Sequence, residues 1–244
     1  MEELLISCTD LCKNYGSGVV LNHLELNIGR GRIVGLLGPN GTGKTTLIKL
    51  LCGLLQPTSG SVSIAGMKPG PATKAIVSYL PDRMYFADWM RARDLLELFG
   101  DFYADFDRNR AAAMCASLGI SPYARLKTMS KGTKEKMQLV LVMSRRAQLY
   151  LLDEPIAGVD PAARDFIMNT ILTNYSPEAT ILISTHLIGD IERVLDEAVF
   201  LRDGGVVLHD TVDNIRQSRG KSVDALFREM FRMAPLEAQE GGEN

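Results

Sequence analysis

One segment of the sequence has the residue types and the spacing of a loop that binds phosphate. It satisfies the pattern G-x-x-x-x-G-K-[ST] and reads, with the residue that follows, Gly38-Pro39-Asn40-Gly41-Thr42-Gly43-Lys44-Thr45-Thr46. Glycines let the backbone approach phosphate oxygens, so that successive N–H groups and a helix N-terminus point at the anion. Lys44 adds a charge at the terminal phosphates, and the Thr45 hydroxyl is a magnesium ligand. The pattern predicts that residues 38–46 bind a nucleotide, the alternative being a chance glycine-rich turn.

Two adjacent carboxylates follow the apolar run at residues 149–152. Asp153 is placed to hold magnesium, because a strand delivers this acid to the side of the predicted phosphate loop. Glu154 can orient and polarise a water for attack on the terminal phosphate, as hydrolysis requires. The alternative is a solvated acidic strand end, which a neighbouring phosphate loop disfavours. The pair therefore predicts magnesium binding and hydrolysis of a phosphate bond.

These residues need a sheet to position them, and four short apolar runs predict one. The runs are residues 33–37, 75–80, 149–152 and 180–184. Uninterrupted apolar runs of this length are typical of strands buried on both faces of a mainly parallel sheet. Each run is followed by polar residues, which would gather at the carboxyl edge of the sheet, where open α/β sheets bind ligands. The sequence therefore predicts an α/β fold.

Other segments predict additions to this core. Alternating apolar residues on either side of a glycine turn at residues 16–18 predict an antiparallel β portion over residues 4–28. A helical period between residues 89 and 127, with Asp107 as a helix cap, predicts a helical subdomain inserted at about residues 84–147. Three further predictions are a helix at 187–195, a hairpin at 198–208 and an amphipathic helix at 223–231, before a frayed tail from 235.

Composition excludes several classes of protein. Lys and Arg total 27 against 29 Asp and Glu, so the net charge of −2 disfavours a nucleic-acid partner. The apolar runs are shorter than the roughly 18 residues of a membrane span, and the acidic start does not resemble a secretory signal, which predicts a cytoplasmic protein. The four cysteines lack a C-x-x-C pair, so they are expected to be reduced buried thiols, with no metal role for Cys8 or Cys12.

With these motifs in order, the sequence resembles the nucleotide-binding subunits of ABC transporters over about residues 4–208. The segment Met129-Ser130-Lys131-Gly132-Thr133 lies where that family carries its LSGGQ signature, and only Ser130 and Gly132 match. The resemblance implies that these two residues touch the terminal phosphate of a nucleotide held by the opposite subunit, and Lys131 would add a cation. The alternative for Ser130 is an ordinary helix cap.

Four more positions take a role from the resemblance. His186, after a predicted strand, is similar to the family's switch histidine that contacts the terminal phosphate, and Asp160 lies in a segment similar to the D-loop that crosses the dimer interface. Tyr15 is similar to the aromatic residue that stacks on adenine, the alternative being a core tyrosine. Asp82 stands where the family's Q-loop has Gln, and its carboxylate is still a possible magnesium ligand.

The resemblance implies an ATPase subunit with ATP and Mg²⁺ as cofactors, in which residues 1–212 form one ABC ATPase domain and residues 213–244 a short C-terminal helix and tail. It would work as a homodimer or heterodimer, docked to a separate permease on the inner face of the cell membrane. Large apolar residues after Asp82 would form the docking surface, or else fill the helical core: Met84, Tyr85, Phe86, Trp89 and Met90. The rival functions are a soluble ABC-type ATPase acting on ribosomes or DNA, and a P-loop phosphotransferase.

Overall fold

The computed structural model describes residues 3–16, 18–157, 159 and 161–231. Within those ranges the strands are β1 (Leu4–Tyr15), β2 (Gly18–Gly29), β3 (Ile33–Leu37), β4 (Ser59–Ile64), β5 (Val77–Leu80), β6 (Leu149–Asp153), β7 (Thr180–Thr185), β8 (Glu197–Arg202) and β9 (Gly205–Thr211). The helices are α1 (Lys44–Leu51), α2 (Pro71–Lys74), α3 (Ala92–Phe102), α4 (Arg108–Ser117), α5 (Lys131–Met143), α6 (Pro161–Thr173), α7 (Ile188–Ile191), α8 (Val212–Arg219) and α9 (Val223–Met230).

The strands form two sheets. Six strands lie in the order β5-β6-β7-β3-β8-β9, in which the first five are parallel and β9 pairs antiparallel with β8. A second, antiparallel sheet has the order β2-β1-β4. The fold is therefore α/β, with a mainly parallel sheet and an N-terminal antiparallel β portion, as the sequence predicted.

The larger sheet is buried on both faces. Every residue of β3, β6 and β7 is buried. Side chains alternate between two apolar layers, since Ile181 and Ile183 of β7 pack with the helices α3 to α9, whereas Leu182 packs with α1 and the smaller sheet. This two-sided burial is what produces uninterrupted apolar runs in the sequence.

Helices α3, α4 and α5 lie in the region predicted to be helical. Leu95 and Phe99 are buried on α3, and the Asp107 carboxylate caps α4 by accepting a hydrogen bond from Arg110 N at 2.9 Å. The final hairpin turns at Asp203 and Gly204, whose φ angles of 49° and 77° are those of a tight β-hairpin turn. No helix in the described ranges is long and apolar enough to cross a membrane.

Three elements differ from the sequence-based predictions. The strand expected at 75–80 begins only at Val77, because Ala75 and Ile76 form the turn that follows α2. The segment expected as a helix at 187–195 is α7 followed by a 3₁₀ turn at Glu192–Val194. The C-terminal segment holds α8 as well as α9, and α8 is so polar that only Val212 and Ile215 are buried in it. The predicted tail from 235 lies outside the described residues.

Candidate functional site

The predicted phosphate loop connects β3 to α1, the strand and helix that the motif requires. Gly43 ends the loop with a φ of 103°, and a Cβ there would lie 2.9 Å from Val20 O. At Gly38, a Cβ would lie 2.6 Å from Leu201 O. Glycine is therefore required at both positions, because a side chain would collide with neighbouring backbone.

Lys44 is buried inside this loop, with 6% of its surface exposed. Its Nζ donates hydrogen bonds to Gly38 O at 2.6 Å and Pro39 O at 3.1 Å, and lies 3.7 Å from Glu154 Oε1. Burial lowers the pKa of Lys44, while the carboxylates of Glu154 and Asp153 act in the opposite direction. The loop thus holds a cation directly in front of the acidic pair.

Asp153 is fully buried at the end of β6. Its Oδ1 accepts hydrogen bonds from Thr45 Oγ1 at 3.1 Å and from Ser184 Oγ at 2.6 Å. Burial raises the pKa of this carboxyl group, and the two hydroxyl donors oppose the shift. Among the described residues, its Oδ2 finds no hydrogen-bond partner. An orphaned buried oxygen beside a threonine hydroxyl is a donor set that fits Mg²⁺, which prefers hard oxygen ligands.

Glu154 and His186 form a close pair at the carboxyl edge of the sheet. His186 Nδ1 lies 3.2 and 3.1 Å from the two carboxylate oxygens of Glu154. The Glu154 side chain is 15% exposed, and its backbone has a φ of 51°, a left-handed conformation that costs a non-glycine residue about 1–2 kcal/mol. That conformation follows directly on β6, where the chain leaves the sheet.

Sequence reasoning missed Ser184, which lies at the centre of this cluster. Ser184 is fully buried in β7; its hydroxyl donates to Asp153 Oδ1 and accepts from Glu154 N at 3.0 Å. Its backbone oxygen also accepts from Glu154 N, at 3.1 Å. The signal that could have identified it is a polar residue at the end of an otherwise apolar strand, immediately before Thr185 and His186.

Asp82 lies on the same edge, after β5. It lines a cavity of about 30 Å³ together with Glu154 and Gln138, and its charge contributes to the raised pKa of Asp153. Its carboxylate is half-exposed and lies 3.8 Å from Arg83 Nε. The structure therefore brings Asp82 near the acidic pair, in addition to Lys44 and Thr45.

The remaining predicted site residues lie at the protein surface or outside the described residues. Ser130 is exposed and caps α5, its Oγ accepting from Thr133 N at 3.1 Å; Lys131 and Gly132 are also exposed. Tyr15 is 48% exposed, so the core-tyrosine alternative is wrong. Asp160 lies outside the described residues. Nucleotide contacts by these five residues stay predictions.

Comparisons with known proteins agree on one family. A family model described as ABC transporter matches residues 21–157. The uncharacterized ABC transporter ATP-binding protein YxlF of Bacillus subtilis (strain 168) is 28% identical over 227 residues, covering 91% of this chain and 76% of that protein. The ABC transporter ATP-binding protein YtrB of the same organism is 30% identical over 216 residues, covering 87% and 74%.

A solved structure gives the same result at the level of the fold. The structure described as that of the ATP-binding subunit of an ABC transporter superimposes with a TM-score of 0.84 at 30% sequence identity. The alignment covers 93% of this chain and all of that chain.

Proposed function

This chain belongs to the ABC transporter family of ATP-binding subunits, which hydrolyse ATP to power transport, and on that premise we propose that its reaction takes place at the cluster around Glu154. The observation that carries the proposal is the position of the Glu154 carboxylate. It lies within 3.7 Å of the Lys44 ammonium and 3.1 Å of the His186 ring, and it follows the buried Asp153 directly.

The loop between β3 and α1 would bind ATP. Its backbone N–H groups and the N-terminus of α1 attract the negative phosphates of ATP. The Lys44 Nζ, now bonded to two loop carbonyls, would exchange those neutral acceptors for phosphate oxygens. A hydrogen bond between charged partners is the stronger one, so the exchange favours the bound state.

Asp153 and Glu154 would have different roles in the reaction. Asp153 and Thr45 would hold Mg²⁺, with Asp82 as a third oxygen ligand, and a bound ion would supply positive charge against the charge that develops on the transferred phosphoryl group. Glu154 accepts the proton of the attacking water at a carboxylate oxygen, which makes that water a stronger nucleophile. His186, which contacts both Glu154 oxygens, would orient the carboxylate and contact the terminal phosphate.

A second ATPase subunit, identical or related, would complete the site. Ser130, Lys131 and Gly132 are exposed at the N-terminus of the 13-residue helix α5, an end that attracts anions. We propose that they close over the ATP held by the opposite subunit and that Asp160 lies at the same interface. The Tyr15 ring, half-exposed on β1, would stack on adenine.

The surface after Asp82 would dock a separate membrane permease, which would place the subunit on the inner face of the cell membrane. Tyr85 and Trp89 are 62% and 70% exposed, whereas Met84, Phe86 and Met90 are partly buried against the helical core. Tyr85 also lines a cavity of about 500 Å³, together with Asp82. Two exposed aromatic residues, one of them at a cavity, fit a short apolar helix from a partner. Residues 1–212 would act as one ATPase domain.

The proposed base is tested by Glu154→Gln, which removes the proton acceptor and keeps the size of the side chain. We expect phosphate release to fall by about 100-fold or more, because general bases contribute on that scale, with ATP affinity retained. The matched control is Glu97→Gln on the exposed face of α3, which should hydrolyse ATP at the parent rate. Parent-like turnover by Glu154→Gln contradicts the assignment.

A further inference from the structure

Three side chains with metal-binding atoms meet on the antiparallel sheet, away from the phosphate loop. They are Asp10 and Cys12 of β1 and His23 of β2, and one ligand atom from each lies within 4.8 Å of the others. We propose that these three residues form a binding site for a transition-metal ion of the Zn²⁺ class. The family function described above does not require such a site.

The backbone turns these side chains toward one another. Asp10 and His23 have φ angles of 51° and 46°, the left-handed conformation that few non-glycine residues adopt. The pairing of β1 with β2 shifts register between Cys8 and Leu11 and again between Leu11 and Lys13, as at a β-bulge. Bulges redirect side chains, and Asp10 of β1 and His23 of β2 lie opposite each other at this bulge.

Contacts within the cluster already hold its three side chains together. The buried Cys12 Sγ accepts a hydrogen bond from His23 N at 3.2 Å, which fixes the sulfur beside the histidine. The Asp10 carboxylate contacts His23 Nδ1. Glu25 Oε1 accepts from Asp10 N at 2.6 Å, which places a further negative charge beside the site.

The donor types select the ion. One thiolate, one imidazole nitrogen and one carboxylate oxygen suit Zn²⁺, with the fourth tetrahedral position open to water, whereas Mg²⁺ prefers oxygen ligands alone. Metal–ligand bonds of about 2.0–2.3 Å place tetrahedral ligands about 3.3–3.8 Å apart, so atoms within 4.8 Å need small side-chain rotations. On binding, the Cys12 thiol and the hydrogen bond between Asp10 and His23 Nδ1 each release a proton to solvent, and the metal takes the place of both protons.

The sequence alone predicts no metal role for Cys12, because the spacing of its partners along the chain is not that of a zinc motif. Zinc sites are recognised in sequences by ligand pairs with two to five residues between the ligands. Here Cys12 and His23 are 11 residues apart and meet only because β1 and β2 are antiparallel neighbours. Of the two partners, only Asp10 is close to Cys12 in the sequence.

The test is a titration of the nucleotide-free 244-residue chain with Co²⁺ in excess Mg²⁺, followed by displacement with Zn²⁺. Cobalt bound to a thiolate gives a charge-transfer absorption band that cobalt on oxygen and nitrogen alone does not give. We expect one equivalent of Co²⁺ to produce that band, and Zn²⁺ to abolish it. Absence of the band, or a band that Zn²⁺ does not displace, overturns the proposal.

Matched variants assign the ligands. Cys12→Ser should remove the thiolate band, and His23→Asn should weaken Co²⁺ binding at least tenfold; asparagine tolerates the left-handed backbone at that position. The controls are Cys115→Ser, at another buried thiol, and His209→Asn, at a histidine paired with Glu197. Both should bind like the parent. A band that survives in Cys12→Ser, or one lost equally in the controls, contradicts the site.

Discussion

At the scale of single residues, the two acids of the ATP site depend on one serine hydroxyl. Ser184 donates to Asp153 and accepts from Glu154 N, so it fixes both the proposed magnesium ligand and the backbone that carries the proposed base. Ligand-orienting groups of this kind are typically worth 10- to 100-fold in metal affinity or activity.

Ser184→Ala should therefore raise the Mg²⁺ concentration for half-maximal ATPase activity by about tenfold. Asp153 keeps its hydrogen bond from Thr45, so the site remains assembled. The control is Ser78→Ala, another buried serine, whose hydroxyl donates to Val142 O. Both variants should lose about 1 kcal/mol of stability. Equal magnesium requirements in the two variants would show that Ser184 has only a structural role.

Lys44→Ala should weaken ATP binding by about one to two decades, since a charge-assisted hydrogen bond worth about 1.5–3 kcal/mol is lost. Calorimetry with ATP and Mg²⁺ measures the change, with Lys68→Ala at an exposed position as the control. If Lys44→Ala binds ATP as tightly as the parent protein, the loop at residues 38–46 is not the ATP-binding site.

The ease of predicting a site residue from the sequence depended on how its partners are arranged. The phosphate loop is contiguous, so its spacing alone identified it, and the strand-end rule placed Asp153, Glu154 and His186 on one edge. Ser184 and the cluster around Cys12 escaped because their partners come from other strands, and only the pairing of those strands brings them together.

At the scale of elements, Arg145 holds the helical region against the sheet. It is 2% exposed, donates to Val77 O at 2.6 Å and to the Asp105 carboxylate at 3.0 Å, and stacks its guanidinium 3.8 Å from the Tyr103 ring centroid. A buried guanidinium is stable only when its donors are satisfied in this way.

Arg145→Ala should lower the free energy of unfolding by about 3–5 kcal/mol, because it leaves Asp105 and several backbone carbonyls without their donor. Its sequence neighbour supplies the control. Arg146 is 74% exposed and pairs with Asp107 at the surface, so Arg146→Ala should cost about 1 kcal/mol or less. Urea denaturation of both variants measures the two free energies of unfolding. Similar denaturation midpoints would contradict this role for Arg145.

Elements differed in how well the sequence predicted them, and burial explains why. Strands β3, β6 and β7 are buried throughout and were recognised from their apolar runs. Strand β4 was not predicted, because its first three residues, Ser59 to Ser61, are exposed and carry no apolar signal. Its Gly60 has a φ of 76°, and a Cβ there would lie 2.0 Å from Asp10 O, so the close approach of β1 explains that glycine.

At the scale of the whole molecule, docking to a permease through the surface after Asp82 predicts how a substitution at Trp89 would behave. Because this side chain is 70% exposed, Trp89→Ala should leave both the free energy of unfolding, to within about 0.5 kcal/mol, and ATP affinity unchanged. It should reduce co-purification with the permease, since aromatic anchors contribute about 2 kcal/mol or more at interfaces. Tyr123→Ala, at another exposed aromatic residue, is the control. Parent-like co-purification of Trp89→Ala would exclude this docking surface.

Taken together, the proposed contacts require that two subunits close over ATP and that hydrolysis at Glu154 opens them again. Sedimentation velocity of Glu154→Gln tests it most directly, with ATP and Mg²⁺ added to a protein that binds but cannot turn over. We predict a dimer that requires ATP, is absent with ADP, and is lost when Lys44→Ala is added to the same chain. A monomer at saturating ATP and Mg²⁺ would contradict ATP-driven closure of two subunits.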